Sequence, residues 1–66
     1  MGTYDLFVKA PPEMIKQILG EKFRESSPIF NGWMRVTVEY QDLDDLVDTV
    51  HRLRKSGANV ASSPFF

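Results

Sequence analysis

The pair Asn31-Gly32 restricts this chain more than any other feature. Both residue types tolerate positive φ, which a type I′ turn demands at its two central positions, and the twist of that turn suits antiparallel strands. Directly after it, WMRVTVEY (Trp33–Tyr40) alternates Met34, Val36, Val38 and Tyr40 against Trp33, Arg35, Thr37 and Glu39. A period of two sustained over this stretch predicts a strand with one buried face. Upstream, RESSPIF (Arg24–Phe30) supplies the other arm. Pro28 has no N–H to give to a ladder, so that arm is expected at a sheet edge. A lone hairpin is marginal in water, so the remaining segments must cover its apolar side.

The flanking segments carry the right patterns. TYDLFVK (Thr3–Lys9) places Tyr4, Leu6 and Val8 on one face and Asp5, Phe7 and Lys9 on the other, which predicts another strand. Pro11 and Pro12 stop it, and proline in a first turn opens a helix. Met14, Ile15, Ile18, Leu19 and Phe23 recur at helical spacing, which predicts a helix ending near Glu21–Phe23, with Gly20 a weak point. A second helix is expected to start from an Asp42 cap. Asp44 and Asp45 suit its first turn, Arg52, Arg54 and Lys55 its last, and Gly57 terminates it. Leu43, Leu46, Val47, Val50 and Leu53 form its apolar stripe, with His51 at the boundary and Arg54 snorkelling over the end. A short strand over Ala58–Ser62 precedes SPFF.

The order is β-α-β-β-α-β. With the Pro28 arm at an edge, it predicts an α+β, ferredoxin-like βαββαβ sandwich: a four-stranded antiparallel sheet with both helices on one face. The chain of 66 residues is one domain, 1–66, and contains no cysteine, so no disulfide or thiolate metal site supplements a small core. With one histidine, no metal is expected, and no cofactor. Self-association is therefore expected to share the burden of stability.

In this topology the sheet is bare on one side. Phe7 and Lys9 of the first strand would stand beside Trp33, Arg35 and Thr37 of the third, an aromatic and cationic surface that asks for a partner. LFVK (Leu6–Lys9) resembles the shorter ribonucleoprotein motif of RNA-recognition domains, and NGWMRV (Asn31–Val36) resembles the longer one. That resemblance implies base stacking on Phe7 and Trp33. The second stacking position of the longer motif is occupied by Arg35, and the Asn that ends the shorter one is Ala10. VTVEYQDLDDLVDTVHRLRKSGANV (Val36–Val60) is similar in rhythm to the C-terminal half of small phycobilisome linker domains, which are strongly basic.

Charge decides between function classes. Eight Lys/Arg against nine Asp/Glu give a net charge of −1, and a phosphate-binding domain is usually basic. A protein partner is thus favoured over single-stranded RNA or DNA, which stands as the alternative. The partner-binding set is Phe7, Lys9, Trp33, Arg35 and Thr37, with Phe65 and Phe66 able to join the seam or to fold back as a cap. Anchors of this kind suit a homodimer or a larger protein served by an accessory subunit or inhibitor. No phosphate loop, nucleophile elbow or histidine–carboxylate set is present, so no catalysis is expected. No apolar run is long enough to span a bilayer and the start lacks a signal-peptide pattern, so a soluble, cytoplasmic protein is the expectation.

Overall fold

In the computed structural model, which describes residues 2–61, the chain is α+β. It runs β1 (Gly2–Lys9), α1 (Pro12–Leu19), a 3₁₀ turn (Gly20–Lys22), β2 (Phe23–Pro28), β3 (Trp33–Tyr40), α2 (Leu43–Lys55) and β4 (Asn59–Ala61). The four strands form one antiparallel sheet in the order β2-β3-β1-β4. β1 and β3 are the central neighbours, with Leu6 opposite Val36, Phe7 opposite Arg35 and Lys9 opposite Trp33. The expectation that the Pro28 arm lies at an edge holds.

The pleat sorts the side chains as the alternation requires. Leu6, Val8, Val36 and Val38 are buried at 1% exposure or less, in one cluster with Ile15 and Leu19 of α1 and Leu46, Val50 and Leu53 of α2. Ala58 and Val60 close the cluster beside β4. Both helices thus pack their apolar stripes on the same side of the sheet. Thr49, 2% exposed, sits within that stripe because its hydroxyl donates to the Asp45 carbonyl one turn back at 2.9 Å.

The elements end where their residues require it. Pro11 precedes α1, and its carbonyl accepts from the Ile15 N–H at 3.2 Å. Asp42 caps α2, its carboxylate accepting from the Asp45 N–H at 2.8 Å. At the far end of that helix, Arg54 reaches the Val60 carbonyl at 3.0 Å and so ties β4 to α2.

Three expectations need correction. The first helix ends at Leu19, not near Glu21–Phe23, because Gly20 adopts φ 56° and ψ −122°, a backbone state that breaks the helix. Phe23 consequently starts β2 and packs on the core from the sheet, with the Lys16 ammonium 5.5 Å from its ring centre. Leu43, assigned to the buried stripe of α2, is 49% exposed; it is the first residue of the helix and does not join the core cluster. The last strand begins at Asn59 instead of Ala58; Ser62 lies outside the described residues.

Candidate functional site

The hairpin that joins β2 to β3 builds the site. Asn31 has φ 52° and Gly32 φ 83°, the pair of positive angles a type I′ turn needs, and the Trp33 N–H donates to the Phe30 carbonyl at 2.9 Å. The Trp33 carbonyl then accepts from Ile29 at 2.9 Å, skipping Phe30. Two residues therefore oppose one, as in a β-bulge, and the extra residue is thrown out of the ladder. Phe30 is left 65% exposed and Ile29 46% exposed.

Those two apolar side chains meet the bare side of the sheet. Phe7, Ile29, Phe30, Trp33 and Ala61 line a concavity of about 320 Å³. A second, broader groove of about 740 Å³ continues from Trp33 and Phe30 around the end of the sheet, past Pro28 to Lys9, Pro11 and Pro12. Phe7 and Trp33 are each half-buried and lie on the side opposite Leu6, Val8, Val36 and Val38. The indole accordingly faces away from the core, as its parity predicts.

The open face is divided in charge. At the hairpin end the exposed cations Lys9 and Arg35 stand across the strands from Trp33 and Phe7, and neither has an ion-pair partner among the described residues. At the other end lie Asp5, Glu25 and Glu39. Asp5 accepts from the Thr37 hydroxyl at 2.7 Å, and Glu39 is paired with Arg24 at 2.6 Å. Thr37 thus belongs to the polar half of the face and is engaged there. Phe7, Lys9, Trp33 and Arg35 are brought together. Phe65 and Phe66 lie outside the described residues.

Sequence reasoning missed Ile29 and Phe30. The Asn-Gly pair was legible, but the extra residue beside it, which turns both side chains outward, was not. A further ionic arrangement joins the 3₁₀ turn to α2. The Lys22 ammonium is 2.6 Å from both Asp45 carboxylate oxygens, and the Gln41 N–H donates to one of them at 2.9 Å. The lysine first, and then the amide, hold the Asp45 carboxyl below its ordinary pKa of 3.8. This pair lies in the fold's frame, away from the aromatic end.

Among the described residues no helix is long and apolar enough to cross a membrane, and no group of three or more His, Cys, Asp or Glu could hold a metal ion. Comparison with protein-family models, curated proteins and solved structures returned no match. The two family resemblances rest on their quoted residues alone.

Proposed function

We propose that this protein is a small, non-catalytic interaction module of the ferredoxin-like class, working in the cytoplasm as an accessory subunit or inhibitor and associating with itself. The strand order β2-β3-β1-β4, with two helices over one side, supports the fold assignment. One observation carries the functional reading: the apolar patch of Phe7, Ile29, Phe30, Trp33 and Ala61 sits on the face opposite the core, flanked by Lys9 and Arg35, which have no ion-pair partner among the described residues. Aromatic side chains with an arginine beside them are the residues that anchor protein interfaces. The alternative route to self-association is the edge strand β2.

Trp33 is the sole tryptophan and therefore reports on its own surroundings. Its emission should shift to shorter wavelength as protein concentration rises, while scattering shows growing mass. Flat emission and monomer mass at high concentration, with protein capture unaffected by Trp33→Ala, would remove the interaction reading. The nucleic-acid alternative is favoured by one feature, the cross-strand pairs Lys9–Trp33 and Arg35–Phe7, which set a cation beside each stacking surface. Salt-sensitive quenching of Trp33 by oligonucleotides would select it, and no response at low salt would eliminate it.

A further inference from the structure

The large exposed apolar side chains among the described residues are Ile29, Phe30 and Leu43. The first two line the groove; the third lies at the opposite end of the molecule. Leu43 opens α2, only three residues beyond the end of β3, whereas Trp33 opens that strand. An eight-residue strand spans about 25 Å, so no molecule can bring Leu43 into its own groove.

The two ends are complementary in charge as well. Asp42 and Asp44 flank Leu43, and Asp48 follows one turn after Asp44; all three are exposed. Asp45 is held by Lys22 and Asp42 is engaged as the cap of α2. Among the described residues, Asp44 and Asp48 are thus the carboxylates here without a hydrogen-bond or ion-pair partner, while Asp42 keeps its exposed charge beside the leucine. The groove, in contrast, is bordered by Lys9 on one side and Arg35 on the other.

The geometry points to a second copy of this chain as the occupant of the groove, in a head-to-tail contact. Leu43 of one molecule seats against Phe7, Phe30 and Trp33 of the next, and the Asp42–Asp44 rim meets Lys9 and Arg35. This inference rests on the self-association proposed above and specifies its geometry. Symmetric alternatives are worse matched. A two-fold axis that stacks the aromatic ends sets Lys9 and Arg35 against their own copies. One that reverses the strands matches Lys9 and Arg35 with the acidic end, where Asp5 and Glu39 are already engaged, but lays the apolar Phe7 and Trp33 over the same carboxylates. The head-to-tail contact has neither conflict, and opposite charges steer it. Because the two surfaces differ, it leaves a free groove at one end and a free Leu43 at the other, so association continues beyond the dimer or closes into a ring.

Two exposed substitutions test this in the full chain, with circular dichroism confirming the fold of each. Phe30→Asp spoils the groove and leaves Leu43 intact; Leu43→Asp does the reverse. Each variant alone should associate at least about tenfold more weakly than the wild type, as expected for loss of an interface anchor. Mixed in equal amounts they should restore association and stop at two chains, twice 7.6 kDa, because the only matching ends have been used. A mixture that stays monomeric while the wild type assembles overturns the inference. So does a Leu43→Asp variant that assembles like the wild type; that outcome leaves self-association through the open face standing. A wild type that remains monomeric at high concentration removes both.

Discussion

Leu6 and Phe7 are adjacent in β1, yet the fold assigns them opposite duties, and truncating each to alanine separates the two. Leu6 is 1% exposed and lies opposite Val36 in the core. Leu6→Ala removes three carbons, about 2.4 kcal/mol of transfer free energy at about 0.8 kcal/mol per methylene. The cavity left behind raises the loss to about 3 kcal/mol or more. For 66 residues the whole stability is only about 3–10 kcal/mol, so this one change removes a large share of it. With a urea slope of about 1 kcal/mol per molar, the unfolding midpoint should fall by about 3 M. Phe7 stands across from Arg35 and Ala61 on the open face, and such cross-strand pairs contribute roughly 0.2–1 kcal/mol. Phe7→Ala should therefore cost at most about 1 kcal/mol in dilute protein, and more as concentration rises and association adds to apparent stability. The loss for Leu6→Ala should not depend on concentration in this way. Failure of Leu6→Ala to fold beside a folded Phe7→Ala is the same result at its limit. Equal, concentration-independent losses for both would refute the assignment of faces.

Two further predictions concern the frame. Asp45 is deprotonated in the native state to lower pH than in the unfolded chain, so its contribution is complete above its ordinary value of 3.8 and is lost as pH falls through the lower native value. Urea midpoints measured from pH 2 to 6 should therefore fall less steeply with acid in Asp45→Asn than in the wild type, and parallel curves would refute the linkage. Gly32→Ala meets no crowding, since the nearest atom to an added Cβ is Lys9 Cε at 3.6 Å, but it forces φ 83° on an L residue at about 1–2 kcal/mol. Thermal unfolding should register that loss, and pairing the change with Lys9→Ala should not relieve it.

Much of this architecture is legible wherever a local rule and a tertiary demand coincide. Val36 and Val38 alternate because one side of β3 is covered, Asp42 precedes a helix because its carboxylate can reach the Asp45 amide, and Asn31-Gly32 turns because both accept positive φ. Reading fails where two rules compete for one residue. Phe23 falls in phase with Leu19 on a helical wheel, but Gly20 turns the backbone first and delivers the same ring to the same core from a strand. Leu43 fits the stripe of α2 by spacing alone; spacing does not say whether the first turn of a helix is covered, and here its first residue is not. Ile29 and Phe30 resemble the tail of an edge strand, and only the pairing of Trp33 with Ile29 reveals that the ladder has slipped. These last residues complete the groove, so the site was half visible: its floor on β1 and β3 follows from alternation, and its wall does not.

The placement of β1 also bears on how the domain is made. That strand lies between β3 and β4, although both follow it in the chain, and its first pair joins Gly2 to Tyr40. The β2–β3 hairpin can close locally, but the centre of the sheet requires a distant segment to be threaded into place, a slow kind of closure. During synthesis an emerging chain would hold β1 unmatched until β3 has left the ribosome as far as Tyr40, and one edge of β1 would stay open until Asn59–Ala61 follows. A ribosome stalled between those two points would display a three-stranded sheet whose β1 edge is open to pairing with another chain.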